Sequence, residues 1–166
     1  MIFVTLGSQK FQFNRLLKKL DEVVKNGNVN EEIFAQIGYS DYKPQSYKYK
    51  EFIDREEFEE IMNKSDIVVA HGGTGAIITA VKQGKKVIAV PRLEKYGEHV
   101  DDHQIQLVRE FEESGIIKAV YDLENLEIEL LKIYTEKFEK YVSNTDNIIK
   151  SIEEFISSMK GEKWKK

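Results

Sequence analysis

The loop at residues 72–75, of sequence GGTG, lies between an apolar run at residues 67–70 and a helical pattern at residues 76–82. Glycine has no Cβ, so the backbone can pass close to a ligand here. A helix that begins at such a loop presents unpaired N–H groups and the positive end of its dipole, which favour an anion. The loop therefore predicts a phosphate-binding site, although a tight turn between a strand and a helix would use the same glycines.

A second segment is rich in titratable side chains, with His99, Asp101, Asp102 and His103 almost consecutive. Imidazole and carboxylate groups are metal ligands, but a helix that begins here explains both acids as caps of its N-terminus. We favour the caps and predict no metal site. His103 and Gln104 would lie in the first turn of this helix, where their side chains can hydrogen-bond a polyhydroxylated ligand.

His71 and Arg92 each come at the end of an apolar run. We interpret His71 as a hydrogen-bonded group that orients the glycine loop rather than as a reacting group. Arg92 can pair with a phosphate or a carboxylate, but a single arginine is also an ordinary surface charge. Tyr96 and Gly97 fall in a loop that is able to close over a ligand.

Alternating strand and helix patterns must position these residues. Strands are predicted at residues 2–6, 33–37, 47–53, 67–70, 87–90 and 116–120. Helices are predicted at 13–26, 56–63, 76–82 and 103–114, and over most of 123–159 with a break at 143–146. This alternation predicts an α/β fold with a Rossmann-like parallel sheet, helices on both faces, and a single domain over residues 1–166.

The candidate residues follow predicted strands, so they should meet at one edge of the sheet. Gly7-Ser8, Gly38, residues 71–73 and Pro91-Arg92 all come where a strand ends. In parallel sheets, ligands bind outside the carboxyl ends of the strands. We therefore expect one cleft that collects these positions.

The composition excludes several classes of protein. There is no cysteine, which excludes disulfides and thiolate catalysis, and the net charge of -4 gives no reason to expect a nucleic-acid partner. The N-terminal MIFVTLG lacks the basic region of a signal peptide, and no apolar run approaches the roughly 20 residues that span a bilayer, so we expect a cytoplasmic protein. GGTG does not match the dinucleotide-binding fingerprint, and Gly84-Lys85 lacks the Ser or Thr of a Walker A motif.

Five short motifs occur together, namely HGG-x-G, Gly84-Lys85, VPR, YGEH and DDHQ. Their combination resembles the donor-binding half of glycosyltransferase family 28. More closely, it is similar to the PssE-type subunits of bacterial capsule and exopolysaccharide glycosyltransferases, which are relatives of the catalytic subunit of the eukaryotic dolichol-linked N-acetylglucosaminyltransferase. The resemblance extends from FVTLGS near the start to the helix after Gln104.

The resemblance implies a GT-B enzyme divided between two chains. This chain would bind a UDP-sugar, and a membrane-associated subunit would bind a lipid-linked acceptor and hold the complex at the inner face of the plasma membrane. A hexose-type sugar would be transferred with inversion, no cofactor would be required, and the general base would lie on the partner. Gly7 and Ser8 would face the cleft, His103 and Gln104 would contact the sugar, and the UDP phosphates would be cradled by Gly72, Gly73, Thr74 and Gly75.

The chain departs from the family pattern at Thr79, where many members carry a glutamate that binds the ribose. This departure keeps open a non-catalytic accessory subunit that enhances or anchors a partner enzyme. A more distant reading is a small α/β module that binds another nucleotide.

Two features lie near the C-terminus. The predicted last helix has an apolar stripe formed by Ile148, Ile149, Ile152, Phe155 and Ile156. We expect this stripe to pack on the chain's own sheet. The alternative is an exposed surface that binds a partner. The basic tail at residues 160–166 reads as a solvated terminus.

Overall fold

Short apolar runs form the strands of one six-stranded sheet in the computed structural model, which describes residues 1–161 and the side chains through residue 158. The strands are β1 (Ile2–Thr5), β2 (Ile33–Gln36), β3 (Lys48–Lys50), β4 (Ile67–His71), β5 (Lys86–Val90) and β6 (Lys118–Ala119). The helices are α1 (Asn14–Asn26), α2 (Arg55–Lys64), α3 (Thr74–Lys82), α4 (His103–Glu113), α5 (Leu126–Lys132) and α6 (Thr145–Gly161).

All the strand pairs are parallel, and the order across the sheet is β3-β2-β1-β4-β5-β6. From β1 the chain moves outward to β2 and β3, and it then returns to place β4 on the other side of β1. The connections therefore diverge between β1 and β4, which makes the carboxyl ends of these two strands the topological switch point where such sheets bind ligands.

Both faces of the sheet are buried, which confirms the Rossmann-like α/β fold. One apolar layer joins Val4, Val69 and Ile88 to side chains of α1 and α5. The other joins Phe3, Val68 and their neighbours to α2, α3 and α4. Successive strand residues point to opposite faces, so a short run of apolar residues supplies both layers.

The region after β5 is less regular than the sequence predicts. β6 keeps only two of the five residues expected at 116–120. The helix expected over most of 123–159 is interrupted by residues 133–144, which are not helical. The reason is tertiary: Lys86 donates from Nζ to the carbonyl oxygens of Ile133, Tyr134 and Glu136, and the Glu139 N–H donates to the Gly115 carbonyl. The three bonds from Lys86 take carbonyl groups, and the bond to Gly115 takes an N–H group, that a continuing helix would use itself.

Helix α6 does not bury its apolar stripe, so the prediction that it packs on the chain's own sheet is wrong. Both faces of the sheet are already covered by other helices. The side chain of Ile152 is 52% exposed and that of Phe155 is 63% exposed. Among the described residues, no helix is long and apolar enough to cross a membrane. Residues 162–166, most of the predicted basic tail, lie outside the described residues.

Candidate functional site

A cleft of about 600 Å³ opens at the switch point, where β1 and β4 end. Gly7 and Ser8 line it on the β1 side, and His71 lines it on the β4 side. The first turn of α3 forms a third wall through Gly73, Thr74, Gly75 and Ala76. The structure thus brings together six of the predicted site residues. We refer to this space as the glycine-loop cleft.

The glycine-loop cleft continues into a second cavity of about 520 Å³, because Phe58 and Thr79 line both. The second cavity runs between α2 and α3 and is lined by Ile53, Asp54, Arg55, Glu59, Asn63 and Gln83. Together the two form one long groove that starts at the glycine loop. The sequence analysis missed this half of the groove. Phe58 fits the apolar pattern of a core residue and Asp54 fits a helix cap, so neither residue type indicates a binding site.

The N-terminus of α3 is open to the cleft. Gly73 is its N-cap residue, with extended backbone and no side-chain cap, and the first turn contains no acidic residue. Thr74 and Gly75 are exposed. The first N–H groups of a helix have no partner within the helix, so here they are available to a ligand in the cleft. The arrangement favours an anion, as the glycine pattern predicts.

His71 is enclosed by two glycines. A Cβ at Gly7 would lie 2.7 Å from its Cε1, and a Cβ at Gly73 would lie 2.9 Å from its Cδ2 and Cε1 and closer still to Nε2. The backbone of Gly7 also has a φ of +70°, which other residues rarely adopt. Both positions therefore require glycine for packing around this ring, whether or not a ligand is bound.

The imidazole of His71 is neutral at pH 7. Burial lowers its pKa to about 4, and the charge of Arg92 adds to this effect. Its Nδ1 lies 3.3 Å from the carbonyl oxygen of Thr5, which can only accept, so Nδ1 carries the proton and Nε2 keeps its lone pair. His71 therefore packs against the glycine loop and is not a cation for a phosphate, and its role in orienting the loop stays a prediction.

This buried histidine should make the fold sensitive to acid. In the unfolded chain a histidine has a pKa near 6.5, so between that pH and about 4 only the unfolded state takes up the proton at His71. The free energy of unfolding should therefore fall by about 2 kcal/mol from pH 7 to pH 5. Urea unfolding at the two pH values measures the loss. The loss of unfolding free energy between the two pH values should be smaller in His71→Asn and unchanged in His103→Asn. A loss in His71→Asn equal to that of the wild-type chain would show that His71 is not the group responsible.

Gln104 joins the loops that follow β4 and β5. Its Oε1 accepts from the N–H of Gly72 and from that of Arg92, each at 3.1 Å. Two backbone donors fix the oxygen end of the amide, and Nε2 donates to none of the described residues, although Gln104 is only 3% exposed. Gly72 also packs on this side chain, since a Cβ there would lie 2.8 Å from the Cβ of Gln104. Gln104 is a clamp between two strand ends.

Arg92 lies behind the cleft, with its side chain only 1% exposed. Its Nη2 donates to the carbonyl oxygen of Leu6 at 2.7 Å, and its guanidinium lies 5.5 Å from the ring centre of Phe13. Burial lowers the pKa of Arg92 to about 10, against the opposing charge of Glu98, so it stays protonated at pH 7. Its direct contact with a ligand stays a prediction, and the visible role is to hold the end of β1.

The segment before α4 combines caps with a cluster of imidazoles. Asp101 accepts the N–H of His103 at 3.1 Å, as a capping residue does, whereas Asp102 accepts the N–H of Glu94 at 2.7 Å. His103 is half-exposed in the first turn of α4 and does not line the glycine-loop cleft. The structure therefore places Gln104, but not His103, against the glycine loop. Neither of them lines the glycine-loop cleft, and neither do Gly72 and Arg92.

Comparison with known proteins agrees with this architecture. Residues 1–159 match the family described as Glycosyltransferase family 28 C-terminal domain. The chain belongs to this family. Its relatives include the protein named UDP-N-acetylglucosamine transferase subunit ALG13 of Kluyveromyces lactis, which is 33% identical over 96 residues, or 51% of this chain and 47% of the relative. The protein of the same name from Cryptococcus neoformans is 26% identical over 100 residues, or 58% of this chain and 48% of the relative.

Solved structures share the fold of this family member. The glycosyltransferase of kitacinnamycin superposes with a TM-score of 0.59 at 16% identity, over 81% of this chain and 35% of the other. MurG of Acinetobacter baumannii superposes with a TM-score of 0.55 at 18% identity, over 81% of this chain and 41% of the other. The chain spans about half the length of the curated relatives and less than half of these structures.

Proposed function

We propose that this chain is the UDP-sugar-binding subunit of a two-component inverting glycosyltransferase. The complex would transfer a hexose-type sugar to a lipid-linked oligosaccharide in capsule or exopolysaccharide biosynthesis. The observation that carries the proposal is the groove at the switch point, where the uncapped N-terminus of α3 opens beside the end of β1. The relatives named as UDP-N-acetylglucosamine transferase subunits support a nucleotide-sugar ligand.

The diphosphate of the donor would lie in the glycine-loop cleft. The N–H groups of Thr74 and Gly75 and the dipole of α3 would hold its charge, and no acidic side chain in the first turn opposes it. The same groups would stabilise the charge that develops on UDP as the bond to the sugar breaks. Preorganised backbone donors of this kind cost no reorganisation during the reaction, so this half of the site needs no residue that changes its protonation.

The nucleoside would extend along the groove between α2 and α3. Thr79 lies where the two cavities join and is exposed, so its hydroxyl is placed to meet the ribose next to the phosphates. Further along, Asp54 is engaged as the cap of α2, because it accepts the N–H of Glu57 at 2.8 Å. Asn63 offers an amide on the same wall. A hydroxyl and an amide would thus replace the single glutamate of the family pattern.

The sugar would be reached by the free Nε2 of Gln104. This amide is oriented by the two N–H groups that its oxygen accepts, so it donates in a fixed direction. Such preorganisation favours selective recognition of a sugar hydroxyl. The exposed His103 in the same helical turn would act only after movement of its side chain.

The general base would come from the partner subunit. No carboxylate of the described residues lines the glycine-loop cleft. His71, the titratable group that does line it, has a pKa of about 4 and is a weak base at neutral pH. A second subunit that faces this edge of the sheet would supply the missing group together with the acceptor. That subunit would also place the complex at the inner face of the plasma membrane.

Helix α6 offers a surface for this partner. Its exposed stripe includes Ile148, Ile152 and Phe155, and residues 145–158 carry only four charged side chains, one basic and three acidic. A continuous apolar stripe on an exposed helix favours burial against protein.

The sharpest test uses Gln104→Glu. The carboxylate can still accept both backbone N–H groups, but it has lost the donor for the sugar. Wild-type chain should bind the UDP-sugar more tightly than UDP, and the ratio of the two affinities should fall about tenfold in the variant, as expected for one hydrogen bond to a fixed donor. Isothermal titration of both ligands measures this ratio. The new carboxylate repels the diphosphate of UDP and that of the UDP-sugar equally, so this repulsion cancels in the ratio.

Two results would reject the proposal or redirect it. Absence of UDP binding by the wild-type chain, alone and with its partner, would remove the donor site altogether. The accessory alternative, which Thr79 favours, predicts that the partner transfers sugar by itself and that Gln104→Glu leaves the activity of the complex unchanged.

A further inference from the structure

The side chains of His99, Asp101 and His103 converge outside the glycine-loop cleft. Each offers one ligand atom, and these atoms all lie within 4.8 Å of one another. The Nδ1 of His99 is 3.2 Å from Oδ1 of Asp101, and the Nδ1 of His103 is in close contact with the same oxygen. Two imidazole nitrogens and a carboxylate oxygen form a ligand set that suits Zn²⁺ and neighbouring transition metals better than Mg²⁺ or Ca²⁺.

Packing and backbone contacts hold this cluster in place. The side chain of His99 is 7% exposed, and its ring lies 5.1 Å from that of Phe11 and 4.6 Å from that of His103 between ring centres. The carboxylate of Asp101 is fixed by the N–H of His103. His99 and the backbone of this turn are therefore held in place, and the half-exposed side chains of Asp101 and His103 need only rotate to admit an ion between them.

Hydrogen bonds alone do not satisfy the cluster well. The N–H and Nδ1 of His103 already approach both lone pairs of Oδ1 of Asp101, which leaves none for Nδ1 of His99 at 3.2 Å from the same oxygen. The N–H of Asp101 also points at Nδ1 of His99, at 3.4 Å, which favours a lone pair on that nitrogen. A lone pair that faces a carboxylate oxygen is repulsive without a cation between them.

We propose that His99, Asp101 and His103 bind a divalent transition-metal ion of the Zn²⁺ class. Three protein ligands leave at least one coordination position for water or for an oxygen of a ligand. The ion would fix residues 99–103, which lead directly into Gln104, and so would stiffen the clamp that Gln104 makes between Gly72 and Arg92. The ligand set is complete without a nucleotide, so the metal site stands or falls separately from the proposed transferase.

The test titrates the tag-free full chain with Zn²⁺ by calorimetry and with Co²⁺ by visible absorption. One equivalent should bind, with Co²⁺ bands typical of a low-coordinate site, and Mg²⁺ should not compete. Loss of one ligand in Asp101→Asn or His103→Gln should weaken Zn²⁺ binding at least about tenfold, because even loss of an outer partner of a metal ligand has effects of this size. Zn²⁺ should also raise the Tm of the wild-type chain and not that of the variants.

Asp102→Asn is the matched control, because it removes the same charge as Asp101→Asn at the next position. The Asp102 carboxylate accepts the N–H of Glu94 and is not one of the proposed metal ligands. It should bind Zn²⁺ like the wild-type chain. The side chains of Asp101 and His103 are 55% and 47% exposed, so their replacement should leave the metal-free Tm unchanged, which the same experiment checks. Binding weaker than micromolar by the wild-type chain, or equal binding by Asp101→Asn and His103→Gln, would overturn the proposal.

Discussion

Replacement of Gly73 by alanine should reduce UDP binding about 100-fold or more. The new Cβ would lie inside van der Waals contact of the His71 ring, with 2.9 Å to Cδ2 and Cε1. The His71 ring is hydrogen-bonded to the Thr5 carbonyl and packs against Gly7, so it cannot move away from the new Cβ. The glycine loop must therefore move instead. Gly73 is also the N-cap of α3, and displacement of the loop turns the first N–H groups away from the diphosphate. A displacement of about 1 Å in a positioned site has effects of this size.

The measurement is UDP affinity by calorimetry, with sugar transfer by the complex as a second readout. Gly27→Ala is a suitable control, because Gly27 lies at the end of α1 with a φ of +74° and open space around it. Alanine there should reduce the free energy of unfolding by about 1 kcal/mol without touching the groove. Comparable UDP affinity in Gly73→Ala and Gly27→Ala would show that the glycine loop does not carry the nucleotide.

Replacement of Ile152 or Phe155 by glutamate should eliminate sugar transfer by the complex and leave UDP binding intact. Both side chains are more than half exposed, so the fold loses no packing when they change. In a subunit interface each would bury an apolar surface worth about 2 kcal/mol or more, and a glutamate would add an unpaired buried charge. We expect the affinity between the subunits to fall at least about 30-fold for each variant.

The same introduced charge on the opposite face of α6 provides the control. Ser157 is exposed and lies away from the stripe on a helical projection, so Ser157→Glu should assemble and transfer sugar normally. Co-purification with the partner and titration of UDP separate assembly from donor binding. If Ile152→Glu and Phe155→Glu both assemble like the wild-type chain, α6 is not the docking surface.

The local patterns of the sequence predicted most of the strands and the edge at which the site lies. Four of the six predicted strands match the structure within one residue at each end, because short apolar runs such as IVVA are typical of parallel strands buried on both faces. Strands β3 and β6 were overestimated, since they keep three of seven and two of five predicted residues. The convergence of Gly7, His71 and Gly73 followed from one geometric fact, that parallel strands end at a common edge.

Other parts of the site depend on contacts between residues distant in the chain. Nothing near Arg92 in the sequence indicates that its guanidinium binds the Leu6 carbonyl and lies by Phe13. The half of the groove between α2 and α3 exists because Phe58 and Thr79 meet. The irregular course of residues 133–144 depends on Lys86, which lies on β5 and is remote in sequence.

The sequence by itself determined the fold class and the family, and it predicted a phosphate-binding role for the glycine loop. These properties depend on residue types within windows of a few positions, where backbone sterics and burial leave few choices. Only the tertiary structure decided that His71 is enclosed and neutral, that Gln104 clamps two loops, that the side chains of His99, Asp101 and His103 converge, and that the stripe of α6 stays exposed. Each of these depends on which surfaces remain after the sheet has been covered, and that is settled by the packing of the whole chain.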